Sequence, residues 1–240
     1  MQSLSIRLRI LVLLLITQMI ALAGPIIYEQ PSVSPPVLPS TSQYFPDVAS
    51  YGFNVFDDFT LTANASIADV HWRGHYFNLL AGATDIPAAN STGFGVGFFS
   101  DNAGEPGTQL APYSFTPSQA HEGLVGVYTV DGREHNLFDY WVDLPSAFNA
   151  AAGVTYWLRI VAFSPIPTAT EAQWGWGRSS SGGTAQQYSG LDSSFFAERD
   201  DRAFALSTAD PVPEPSPLIM VSTALFGVAF LLRRRRPLGT

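Results

Sequence analysis

Asp69-Val70-His71-Trp72-Arg73-Gly74-His75-Tyr76 is the stretch whose reading decides the fold. Side chains of an extended chain point alternately to opposite faces. Val70, Trp72, Gly74 and Tyr76 therefore share one face, and His71, Arg73, His75 and Phe77 share the other. The alternation recurs in Tyr156, Leu158, Ile160 and Ala162. Outward from these two segments, short aromatic and β-branched runs are separated by Gly, Pro, Asn and Asp, which is how strands and turns read. Strands are predicted over 54–61, 67–79, 92–100, 124–128, 138–144, 155–163, 173–177 and 202–206. Turn signals stand at Asp101-Asn102-Ala103-Gly104, Asp131-Gly132 and Gly182-Gly183. The one helical candidate covers 146–152 and ends at Gly153. About eight antiparallel strands in two sheets predict an all-β, jelly-roll-like antiparallel β-sandwich over residues 50–210.

Composition agrees with that expectation. Only 13% of the 240 residues are charged, about half the usual ~25%. The 20 Gly and 18 Pro are too many for a helical bundle, and 17 Phe, 9 Tyr and 5 Trp exclude disorder throughout. The chain has no Cys, so disulfides, thiolate metal sites and thiol nucleophiles are excluded. It has no Lys, which excludes a Schiff-base lysine. Between residues 24 and 210, 19 acids face 6 Arg, a formal charge of −13. Nucleic-acid affinity rests on basic side chains meeting phosphates, so nucleic acid is not an expected partner.

The two ends read differently from the middle. Residues 1–23 carry Arg7 and Arg9, an apolar run from Ile10, and the small residues Ala21 and Ala23 before Gly24-Pro25. That order predicts a secretory signal peptide, with the Sec translocon and signal peptidase as partners; the alternative is a retained membrane anchor. Residues 24–49, with Pro35-Pro36, read as a Pro-rich linker. Near the other end, Val212-Pro213-Glu214-Pro215-Ser216 precedes an apolar stretch over 218–232 and then Arg233, Arg234, Arg235 and Arg236. A helix over 218–232 would reach roughly 22 Å against a hydrocarbon core of ~30 Å, which suits transient retention better than permanent anchoring. The arginines stop transfer and stay on the cytoplasmic side.

The motif Val212-Pro213-Glu214-Pro215-Ser216, the short apolar helix and the Arg cluster, in that order over about 211–237, resemble the PEP-CTERM sorting signal. The resemblance implies a Gram-negative, polysaccharide-producing or biofilm-forming bacterium. It also implies processing by an exosortase near Pro213-Glu214-Pro215, after a single-pass stage in the inner membrane. The middle of the chain is similar to a loosely defined class of exported bacterial β-sandwich domains. That likeness is carried by F-D-D-F (56–59), D-V-H-W-R-G-H-Y (69–76), F-F-S-D-N-A-G-E-P-G (98–107), G-V-T-Y-W-L-R-I (153–160), W-G-W-G (174–177) and D-R-A-F-A-L (201–206). It implies a fold and no chemistry.

Catalytic patterns fall short one by one. His71 and His75 would be roughly 13 Å apart on a strand, too far for one ion. His121-Glu122 begins like a zincin motif, but Val125 stands where the second His would be. Gly93, Gly95 and Gly97 miss the dinucleotide-binding spacing at Phe98, and Ser179-Ser180-Ser181 lack a nucleophile elbow. Asp57-Asp58, Asp101 with Glu105, and Asp200-Asp201 could offer oxygens to Ca²⁺, although Asp in turns also bonds the local backbone; no cofactor is expected. Trp174 and Trp176 share one face of a predicted strand and would contact glycan if exposed, or fill the core if buried. The function expected is therefore non-enzymatic: a surface or matrix protein with a structural or adhesive role in exopolysaccharide. A secreted glycan-acting hydrolase and a lectin-like module are the alternatives.

Overall fold

The computed structural model describes residues 24–46, 52–77, 90–130, 132–164 and 172–209. Residues 1–23 and 210–240 lie outside that set, and with them Ala21, Ala23, Pro213, Glu214, Pro215 and Arg233 to Arg236. The described residues form strands and no helix, so none of them makes a helix long and apolar enough to cross a membrane.

Two seven-stranded sheets make a sandwich-like, all-β arrangement. At the centre of the first sheet lies β5 (Ala65–Phe77), the strand on which the sequence alternation is clearest. It pairs along one side with β9 (Arg133–Ala150), which carries β8 (Gly123–Val130) on its far edge. Along its other side β5 pairs first with β14 (Phe204–Thr208) and then with β11 (Gln173–Trp176). Outside these lie β1 (Ile26–Gln30) on β14 and β2 (Ser40–Thr41) on β11. The second sheet runs in the order β13 (Ser194–Ala197), β12 (Gln186–Ser189), β4 (Gly52–Thr60), β3 (Gln43–Tyr44), β10 (Thr155–Phe163), β6 (Gly93–Asp101) and β7 (Pro106–Phe115). Every pairing is antiparallel except β3 with β10.

The inward faces supply the core. Val70, Trp72 and Tyr76 of β5 meet Phe138, Tyr140 and Val142 of β9, and Phe94, Val96, Phe98, Leu158 and Ile160 close it from the second sheet. Rings pack edge-on or offset, as in Trp72 on Tyr140, with centroids 5.2 Å apart, and Phe98 on Phe148 at 4.3 Å. Gly74 interrupts the apolar row for a steric reason. A Cβ there would stand 2.5 Å from the Trp174 ring, so the gap in one strand admits the indole of its neighbour.

Two expectations are corrected by this architecture. Residues 146–152 are not helical, because β9 continues to Ala150 with Val142, Leu144, Phe148 and Ala150 turned inward. A break in register opposite Ile67 and Asp69 carries the strand past Pro145, and cross-strand packing overrides the local helical bias. The segment read as a Pro-rich linker contributes β1, β2 and β3 to the sandwich. Ser42 in it is buried, donating to the Ile160 carbonyl and accepting from the Val55 N–H, and Gln43 Oε1 accepts the Trp174 N–H at 2.8 Å.

Candidate functional site on the outer face of the first sheet

The solvent side of the first sheet is built in rows. Glu29 of β1, Ala205 of β14, His71 of β5 and Trp141 of β9 stand in register across four strands. The next row brings Arg73 opposite Asp139, with Ala203 bonded to Arg73 through the backbone at 3.3 Å. On the other side Ser207, Asp69 and Asp143 are aligned. The small side chains of Ala203, Ala205 and Ser207 leave a low floor along β14, while the longer ones on β5 and β9 rise beside it. The result is a trough of about 500 Å³.

Its two basic groups, Arg73 and His71, are paired with carboxylates. Arg73 grips Asp139 with two bonds, Nε to Oδ1 at 2.6 Å and Nη2 to Oδ2 at 3.0 Å, the planar fork-to-carboxylate geometry that fixes both partners. His71 Nε2 lies 2.8 Å from Asp69 Oδ1, and that bond raises the imidazole pKa more than partial burial lowers it.

Trp141 forms the far wall, beyond His71, whose ring lies 6.3 Å from the indole with planes within 22°. Of the five tryptophans in the chain, the other four are almost wholly buried, whereas Trp141 is 37% exposed. The His121 ring lies flat against it, with centroids 3.5 Å apart and planes within 2°. His121 does not line the trough and so supports the indole from elsewhere. This support is held by design of the backbone: His121 sits at φ 45°, uncommon for a residue with a side chain, and the Ala120 carbonyl accepts the Trp141 N–H at 3.2 Å. A turn stapled by Thr116 and Gln119 delivers both residues.

The candidates named from sequence are placed elsewhere. Trp174 and Trp176 are 0% exposed, so of the two readings of this pair core packing holds and glycan contact does not. Trp174 Nε1 donates to Tyr140 Oη at 3.0 Å, and Trp176 Nε1 donates to the Ala203 carbonyl at 3.0 Å. Tyr140 Oη and Tyr76 Oη in turn donate to Glu122 Oε2 at 3.1 and 2.8 Å, which ties Glu122 to the core. Burial is what chiefly raises both tyrosine pKa values, and the Glu122 charge adds to it.

Three of the acidic residues weighed for Ca²⁺ have structural partners for their carboxylates. Asp57 accepts the Arg202 and Asp58 backbone N–H groups, and burial raises its pKa well above the ordinary range. Asp101 accepts Gly104 N–H at 3.2 Å and Trp157 Nε1 at 2.8 Å. Asp200 pairs with Arg178 at 2.8 Å. Among the described residues no three His, Asp or Glu side chains are grouped to hold a metal. Because Asp57, Asp101 and Asp200 spend carboxylate oxygens on protein partners, a chelator is expected to change the melting temperature little, since only a ligand bound to the native state would shift it. A large drop restored by Ca²⁺ would contradict this.

Trp141 and His121 as a pair were not legible as a site. The usable signal is that Trp141 falls between Asp139 and Asp143 in the polar phase of the β9 alternation, where a large aromatic has no packing reason to be.

The profile of a family described as Domain of unknown function (DUF7901) matches residues 36–218 of the chain. No curated protein and no solved structure matches it.

Proposed function

The chain belongs to the DUF7901 family, and on that premise we propose that it is an exported, non-catalytic surface or matrix protein sorted by an exosortase. The observation that carries the reading is the order of Pro213-Glu214-Pro215, the apolar stretch 218–232 and Arg233 to Arg236. Residues 1–23 start export, the apolar stretch halts the chain in the inner membrane, and cleavage near Pro213-Glu214-Pro215 releases the sandwich. Prolines on both sides of Glu214 keep that segment extended, the form in which a protease binds a peptide.

An adhesive or structural role fits the sandwich better than catalysis does. Asp139, the carboxylate on the Trp141 side of the trough, has both oxygens bound by Arg73, which leaves it poorly placed to carry a proton to and from a substrate. The finer architecture is read as jelly-roll-like. Its support is that the chain repeatedly crosses between sheets, as in β4 to β5 to β6 and β9 to β10 to β11 to β12. Deleting the exosortase of the producing bacterium should shift the protein from the cell-surface fraction to the inner-membrane fraction. An unchanged distribution would overturn the sorting assignment.

A further inference from the structure

We infer that the trough beside Trp141 binds a neutral, hydroxyl-rich polysaccharide chain, with the indole as stacking platform and the Arg73–Asp139 pair as hydrogen-bonding edge. The inference rests on the adhesive reading above and names the ligand class that would give it effect.

Three observations point to this ligand. The first is the wall. A tryptophan left 37% exposed in a protein that buries its other four offers, on the face His121 leaves uncovered and beside His71, an apolar surface suited to the C–H face of a sugar ring. Its flat contact with His121, whose backbone sits in the left-handed region, fixes the indole before any ligand arrives. Strain of this sort is held where surrounding structure demands it, and functional surfaces are where it gathers. The second is the shape. Ala203, Ala205 and Ser207 make a floor without projecting groups along β14, so an extended chain can lie in the trough rather than end in it.

The third is the charge. Glu29, Asp69, Asp139 and Asp143 border the trough or its neighbouring row, against Arg73 and His71, and the domain as a whole carries −13. A uronate or phosphate polymer would meet repulsion there. A neutral glycan would not, and its vicinal hydroxyls can both donate to Asp139 and accept from Arg73 without breaking the pair.

The test uses the full-length chain in detergent. Because Trp141 is the one exposed tryptophan of five, acrylamide quenching of the intrinsic fluorescence reports on it. Soluble dextran, a soluble β-glucan and a galactomannan serve as neutral probes, and alginate serves as the uronate probe. At least one neutral polymer is expected to protect the accessible emission, with alginate giving no protection. Ala205→Leu, which fills the floor without touching the wall, is expected to weaken that protection about tenfold, equivalent to ~1.4 kcal/mol. Trp141→Ala should abolish retardation of the protein in gels containing the same polymer. Protection by none of the neutral polymers, protection by alginate alone, or full binding by Ala205→Leu at an unchanged melting temperature would overturn the inference. Since the assay needs no export or cleavage, its failure leaves the sorting assignment standing, and failure of sorting leaves binding intact.

Discussion

Trp174→Ala is expected to lower the stability of the sandwich by about 3–5 kcal/mol, the usual cost of emptying a fully buried aromatic site. The indole is 0% exposed and packs against Phe94 and Tyr140 at centroid distances of 5.5 and 6.0 Å. Its removal also takes away the donor to Tyr140 Oη and opens the space that Gly74 reserves for the ring. The surroundings cannot collapse easily, because Tyr140 is held by Glu122 on one side and by Trp72 on the other. Urea denaturation measures the change. A loss below about 1 kcal/mol would mean that the pair does not carry the core packing assigned to it.

The second large effect is a loss of stability in acid that traces to His75. Its side chain lies on the outer side of β5 yet is only 2% exposed, packed edge-on to Tyr128 at 5.0 Å and close to Gly177. Burial pushes its pKa down to about 3, with the charges of His135 and Arg73 acting in the same direction. The ordinary value is about 6.5, so the folded protein disfavours the protonated form. Stability from this group is complete above about 6.5 and is lost as pH falls toward 3, by at most ~1.4 kcal/mol per pH unit. Asp57, Asp58 and Asp201 act oppositely, because burial raises their pKa values. Their contribution is complete below the ordinary carboxylate range and is lost as pH rises through the raised values. Comparison with His75→Gln separates the two effects, since the variant keeps the carboxylates and removes the imidazole. Wild type should lose stability more steeply than the variant between pH 6.5 and 3; equal slopes would contradict the assignment.

The central strand and the core were open to sequence reading because they obey one rule. Val70, Trp72, Gly74 and Tyr76 are inward, and the Trp174–Trp176 spacing puts both indoles on the buried side. What was hidden depended on partners distant in sequence. Ile26–Gln30 is a five-residue mixed segment between Pro25 and Pro31, indistinguishable from a linker until β14 lies beside it. The stretch after Pro145 has local helical leanings that pairing with Ala65, Ser66 and Ile67 overrules. The trough was hidden for the same reason. Glu29, Ala205, His71 and Trp141 come from four separate segments, and only the register of β1, β14, β5 and β9 makes them a row. The sorting motif is the opposite case, since its meaning lies in the order of residues along the chain.

The measurement that bears most directly on the proposed role is the intact mass of the protein recovered from the cell surface of its own bacterium. The account predicts a chain that starts near Gly24 and ends near Pro213-Glu214-Pro215, without Arg233 to Arg236, and predicts that the shortened form vanishes when the exosortase is deleted. A surface form that still ends at Thr240 would contradict it.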